Sequence, residues 1–154
     1  MTTGEPANAS ASHSIDPRGP RFAAWLTTVV LGVVLVTEWW PVLLAQTAVF
    51  AIGAFAGPGF APYGVLYRRL VAPRLRPTSE WEEVAPVRFA QLVGFVFAAV
   101  GTVGFATGVV ALGAVATAAA LLAAFLNAAF GLCLGCEAYL LVRRLGQFGG
   151  RTAH

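Results

Sequence analysis

Charge is scarce in this chain, and lysine is missing altogether. Of the 154 residues only 11% are charged, and every basic residue is an arginine. A soluble domain carries about a quarter of its residues as charges, so 58% apolar content at this charge level excludes an ordinary soluble protein. The scarcity is also local: between Phe22 and Tyr67 the only charge is Glu38, and between Phe89 and Cys136 there is none. Apolar stretches of that length read as transmembrane helices, each needing about 20 residues to cross a hydrocarbon core of about 30 Å. The net charge of +3 would suggest nucleic acid in a soluble protein. Here the arginines flank the apolar runs, membrane topology accounts for them, and no nucleic-acid partner is expected.

Other absences narrow the chemistry. Histidine occurs only as His13 and His154, in the two tails. A structural zinc site takes four ligands, so no metal and no cofactor is expected within the chain, although a site shared between two chains stays open. No Gly-rich phosphate loop, Ser-His-Asp set or carboxylate pair is present. No ionisable residue falls at mid-span depth, where proton-coupled transporters usually keep one. The first twenty residues lack a basic cluster followed by an apolar run, so no secretory signal is expected.

What is present reads as an all-α, polytopic integral membrane protein with four transmembrane helices. The first span runs from about Pro20 to Thr37 and ends at Glu38-Trp39-Trp40-Pro41, an interfacial aromatic belt with a tight turn or, less economically, a ligand-stacking pair. The second runs from about Val42 to Gly57 and the third from about Val87 to Thr107. The fourth runs from about Val110 to Gly131. Gly57-Pro58-Gly59-Phe60-Ala61-Pro62 breaks the helix, and short interfacial helices follow at Tyr63–Leu70 and Glu137–Leu145. Ser79-Glu80-Trp81-Glu82 has the form of a capping box and predicts a short surface helix. The expected organisation is a disordered cytoplasmic tail over 1–16, a membrane domain over 17–145 and a frayed tail over 146–154. All ten arginines flank the spans on one side: Arg18 and Arg21 at the entry to span one, Arg68, Arg69, Arg74, Arg76 and Arg88 between spans two and three, and Arg143, Arg144 and Arg151 after span four. By the positive-inside rule, the termini and the segment between spans two and three are expected in the cytoplasm of a cell inner (plasma) membrane protein.

The membrane domain repeats itself. Ala48–Leu70 aligns without gaps on Ala123–Leu145 with eight identities, among them Arg68-Arg69-Leu70 on Arg143-Arg144-Leu145. Arg21-Phe22-Ala23 and Arg88-Phe89-Ala90 open spans one and three alike. The expectation is two parallel hairpin repeats, 17–72 and 86–145, joined by a cytoplasmic loop over 73–85. Gly53/Gly57, Gly104/Gly108 and Gly131/Gly135 have the spacing that lets membrane helices pack closely, and a homo-oligomer is left open. Gln46 and Asn127 are the amides inside spans, expected as interhelical hydrogen-bonding groups or as a polar path for a small solute.

The repeat fails at one place. Cys133 aligns with Pro58 and Cys136 with Ala61, so a Cys-x-x-Cys dithiol stands where the other copy breaks its helix. A helix N-terminus favours the thiolate, the form that attacks disulfides or sulfane sulfur, and the spacing lets a second thiol resolve a mixed disulfide. Cys133 is the expected nucleophile and Cys136 the resolving partner, with Glu137 opposing thiolate formation. The bland alternative is two small residues packed as apolar side chains.

Asp16-Pro-Arg-Gly-Pro-Arg-Phe22, Pro62-Tyr-Gly64, Pro86-Val-Arg-Phe-Ala-Gln91 and Phe125-Leu-Asn-Ala-Ala-Phe-Gly-Leu-Cys-Leu-Gly-Cys136 together resemble a bacterial integral membrane family catalogued as domain of unknown function 4395. The resemblance covers roughly Asp16 to Leu145. It implies a multi-span, actinobacterial-type membrane protein that carries the dithiol at Cys133 and Cys136. It also implies the company of thioredoxin-like or sulfurtransferase proteins. The functional expectation is a thiol-redox or sulfur-transfer relay at the cytoplasmic face. The alternative is a non-catalytic membrane scaffold whose surface helices dock a cytoplasmic partner.

Overall fold

The computed structural model describes residues 14–151 and is almost entirely helical. A two-residue strand β1 (Ser14–Ile15) leads into α1 (Arg18–Thr37) and α2 (Trp40–Phe55). A short α3 (Pro62–Leu66) continues as a π-helical turn over Tyr67–Val71 and a 3-10 turn over Ala72–Arg74. Strand β2 (Glu82–Glu83), α4 (Val84–Ala106), α5 (Val110–Phe130) and α6 (Leu134–Arg151) complete the described chain.

The helix ends follow from local chemistry. At Glu38 the backbone turns left-handed (φ 55°) and its N–H bonds the Val34 carbonyl, closing α1. Pro41 then sits in the first turn of α2, where its missing N–H costs nothing. Two residues between α1 and α2, and three between α4 and α5, force antiparallel hairpins. The main pairings, however, run between hairpins: α2 lies along α4, and α1 along α5. Adjacent α4 and α5 also pack closely, whereas α1 and α2 barely touch. The four helices therefore form a ring in the order α1, α5, α4, α2.

Leu31 and Val34 of α1, Leu43 and Phe50 of α2, Ala98 and Phe105 of α4, and Ala120 of α5 fill the ring. Where α4 crosses α5, a Cβ on Gly104 would stand 2.5 Å from the Gly113 nitrogen. That backbone approach is the small-residue packing that membrane helices use. Deep polar groups are paired across helices, as in Thr47 to Thr102 at 3.3 Å, or bonded back to their own helix, as in Thr28 to the Ala24 carbonyl. Thr117, fully buried at the α4–α5 contact, is an exception, with no partner for its hydroxyl among the described residues.

The outward faces are as apolar as the core. Val36 is 86% exposed and Val115 70%, and Val29, Val103 and Leu122 are exposed with them. Helices α1, α4 and α5 are long and apolar enough to cross a membrane, which makes this a membrane-type protein. Of the four spans read from sequence, α2 falls short at 16 residues, because Pro41 fixes its start and Gly57 turns the chain at φ 119°.

Three local expectations are corrected. No capping box forms at Ser79: Glu82 and Glu83 are instead a strand, paired antiparallel with Ile15 and Ser14. Segment 75–81 carries no helix, and α4 starts at Val84 with Glu83 at its cap position and no side-chain cap bond. The glycine pairs are also not simple packing motifs. Gly53, Gly104 and Gly135 face close neighbours, while their partners Gly57, Gly108 and Gly131 take positive φ at turns. Finally, α6 starts at Leu134 and reaches Arg151, well beyond the interfacial helix expected over Glu137–Leu145. Of the expected N-terminal tail, residues 1–13 lie outside the described residues; Ser14 and Ile15 are held in the strand pair.

Candidate functional site: a dithiol at the start of the last helix

Helix α5 ends at Gly131, whose left-handed backbone (φ 68°) suits a residue without Cβ. Its N–H bonds the Asn127 carbonyl at 3.0 Å, and the next N–H, of Leu132, bonds the Leu126 carbonyl at 3.2 Å. The chain is thus turned within three residues and restarts as α6 directly after Cys133. The Cys133 carbonyl accepts the first helical bond, from Glu137 N–H at 3.0 Å. Its sulfur accepts the Cys136 N–H at 3.2 Å. Cys133 therefore caps α6 as serine or aspartate caps other helices, with sulfur as the acceptor.

Cys136 follows one turn later, with the two Cα atoms 5.2 Å apart, inside the range that a disulfide spans. The pair is joined as a disulfide in this structure, and both residues are half-buried. Between them, Gly135 lets the first turn of α6 rest on α4: a Cβ there would stand 2.6 Å from the Ala90 Cα. The dithiol is therefore fixed against a spanning helix.

A polar layer surrounds this end of the bundle. Arg21 of α1 reaches the Ala128 carbonyl at the end of α5 at 3.4 Å. Arg88 of α4 donates to the Ala54 and Phe55 carbonyls at the end of α2, at 3.0 Å each. Asp16 accepts from Arg18 and from the Tyr67 hydroxyl, and Arg18 also donates to the Arg76 carbonyl. Partial burial pushes the Asp16 carboxyl up, but the Arg18 and Tyr67 hydrogen bonds outweigh it and hold it below the ordinary carboxylate value. Burial, and then the Asp16 contact, push the Tyr67 phenol up. Arg143 of α6 stands 3.8 Å from Glu83 and over the Tyr139 ring.

Beneath this layer a cavity of about 1190 Å³ runs into the ring. Cys133, Gly135, Cys136 and Glu137 line it together with the buried core residues Phe50 and Ala120. Gln46, only 2% exposed, bonds Thr27 of α1 at 3.5 Å and accepts the Tyr63 hydroxyl at 2.7 Å. It is thus an interhelical hydrogen-bonding group at the cavity wall. Asn127 and Gln91 also line the cavity, half-buried, with no side-chain hydrogen bond among the described residues.

Sequence reasoning located the dithiol and its helix break but missed the cavity, Gln91, Tyr63 and the capping work of Arg21 and Arg88. The repeated Arg-Phe-Ala was the available signal for the last. Trp39 and Trp40 lie at the opposite end, exposed and away from the cavity lining.

Fold and site together define a helical membrane-type protein with a dithiol at the N-terminus of its last helix. The chain belongs to the family described as Domain of unknown function (DUF4395), whose model matches residues 15–144. No curated protein and no solved structure matches it.

Proposed function

We propose that the protein is a membrane thiol relay in which Cys133 attacks and Cys136 resolves. One observation carries this reading: the Cys136 N–H donates to the Cys133 sulfur at the first turn of α6. Free N–H groups and the positive end of the helix stabilise a thiolate there. In the step proposed, the Cys133 thiolate attacks a disulfide of a thioredoxin-like partner, forming a mixed disulfide and releasing one partner thiolate. Cys136, deprotonated, then attacks Cys133 sulfur, forms the internal disulfide and releases the second partner thiolate. The partner gains two electrons and, with two protons, becomes a dithiol. The exchange is reversible, and a more reducing partner dithiol returns two electrons to the Cys133–Cys136 pair through the same mixed disulfide. A sulfurtransferase persulfide would meet the same nucleophile, its outer sulfur passing to Cys133.

The reading includes four spans in two parallel hairpin repeats. The swapped pairing of α1 with α5 and α2 with α4 is what a two-fold relation between hairpins requires. Arg21 and Arg88, equivalent in the repeat, each bond the end of the other hairpin's second helix. Helix α2 covers about 24 Å at about 1.5 Å per residue, and exposed Trp39 and Trp40 suit the headgroup zone at its start. Arg18, Arg21, Arg68, Arg69, Arg88, Arg143 and Arg144 sit at the dithiol end, which supports placing that end and the termini in the cytoplasm of a plasma-membrane protein. Exposed Leu141, Val142, Leu145 and Phe148 beside Arg143 and Arg144 suit α6 to the membrane surface.

The test is trapping. Cys136→Ser, with Cys133 left unresolved, accumulates a mixed disulfide with a thioredoxin-like or sulfurtransferase partner, visible on non-reducing gels and absent in Cys133→Ser. Absence of any adduct, with neither thiol alkylated by an impermeant maleimide from the cytoplasmic side, removes the relay. The scaffold reading then takes its place, and reversing Arg143 and Arg144 would release a docked partner.

A further inference from the structure

We infer that the cavity beneath the dithiol binds a membrane-soluble quinone, which takes the electron pair of Cys133 and Cys136. This deepens the relay reading and rests on it. Three observations select the occupant. The cavity, about 1190 Å³, is larger than one quinone ring requires, and Val49, Phe50, Val93, Phe97 and Ala120 give much of its lining an apolar character. An occupant drawn from a hydrocarbon surrounding is itself apolar, and the thin α1–α2 contact gives the ring one weakly closed side.

Second, the polar groups in the wall are amides. Gln91 and Asn127 have no side-chain partner among the described residues, and Gln46 has spent one N–H on Thr27 and keeps another. An amide N–H donates to a carbonyl oxygen, and a quinone offers two. Third, both cysteines line the same cavity, and Gln91 follows Ala90, the residue on which Gly135 rests. The Gln91 amide lies against Gly53 of α2, so a ring bonded to it sits in the cavity that both cysteines also line.

The reaction balances without another reactant. Both S–H bonds break, the S–S bond forms, and two electrons and two protons pass to the quinone, whose carbonyl oxygens become the hydroxyls of a quinol. A partner dithiol then reduces the Cys133–Cys136 disulfide by the reverse of the relay exchange, through the same mixed disulfide at Cys133, so electrons pass from a partner dithiol through Cys133 and Cys136 to the quinone.

The experiment uses the full chain in nanodiscs with decylubiquinone, whose ring is fully substituted and does not add thiols. The reduced wild type forms one quinol per dithiol oxidised. Cys133→Ser binds the quinone but forms no quinol. Gln91→Leu and Asn127→Leu each weaken binding by about fivefold, the loss of one hydrogen bond, with melting temperatures checked for folding. Ala123→Phe, which fills the cavity and removes no polar group, also weakens binding. A wild-type dithiol that exchanges with glutathione disulfide but neither binds nor reduces decylubiquinone overturns this inference alone. Binding unaltered in all three cavity variants overturns it too. A dithiol inert to both reagents overturns the relay and the quinone site together.

Discussion

The two hairpins end differently, and the difference explains why only one carries chemistry. After α2 the chain passes Gly57-Pro58-Gly59 and enters α3, with Pro62 in its first turn. There Gly64 presses on the Pro58 carbonyl, which a Cβ would approach to within 2.2 Å. Proline has no N–H to offer, and α3 lasts five residues before its bonding widens into a π-helical turn. After α5 the chain turns at Gly131 and starts an 18-residue helix whose first-turn Cys136 N–H faces the Cys133 sulfur. One break is closed by backbone packing; the other presents a donor to a nucleophile.

Moving the dithiol breaks this comparison most directly. Pro58→Cys with Ala61→Cys, in a chain lacking Cys133 and Cys136, places the same spacing at the first break. The thiol at position 58, which lies ahead of α3 and away from its first-turn N–H groups, is expected to be alkylated at neutral pH roughly tenfold more slowly than Cys133, as a thiol without helix N–H donors is less ionised. Equal rates would show that the cap geometry confers nothing.

Next in size is Gly135. Replacement by valine pushes the first turn of α6 off Ala90 and costs about 3 kcal/mol, the upper range for overpacking, read as a lower melting temperature in detergent. Gly146→Val, in open space along the same helix, leaves the melting temperature nearly unchanged.

The two arginine caps sharpen the repeat. Arg88→Ala loses two bonds at 3.0 Å, and Arg21→Ala one at 3.4 Å. Both side chains are exposed, so the costs are small: about 1 kcal/mol for Arg88 and half that for Arg21. The order reversed, or no effect from either, would separate the caps from bundle stability. Thr117→Val runs the other way. It removes a buried hydroxyl without removing a hydrogen bond and is expected to stabilise by about 1 kcal/mol.

The smallest effect concerns pH. Asp16 is held below its ordinary value of 3.8, so its contribution is complete above that value and is lost as pH falls through and below it. The melting temperature of the wild type therefore drops on acidification below about pH 4 more than that of Asp16→Asn. Identical acid profiles would show that the Asp16–Arg18–Tyr67 contact does not hold β1 in place.

Sequence determined the large features here, because they depend on local composition. Uncharged runs of about 20 residues must be helices in an apolar surround, and Pro41, Gly57, Gly108 and Gly131 mark ends that backbone sterics impose. A helix break beside the cysteines was legible from the place where the repeat fails, but the start at Leu134 was not, since the expected helix began at Glu137. The capping box at Ser79 misled, because its short-range signal lost to a pairing with Ser14 and Ile15, which lie far away in sequence. Tertiary structure alone decided which helices pair. Two hairpins of similar apolar faces can close in several ways, and the close contacts of Gly53 with Gln91 and of Gly94 with Phe50, both between α2 and α4, favour the one observed. The cavity follows from that choice: placing α1 on α5 and α2 on α4 leaves a space at the dithiol end that no linear pattern of residues records.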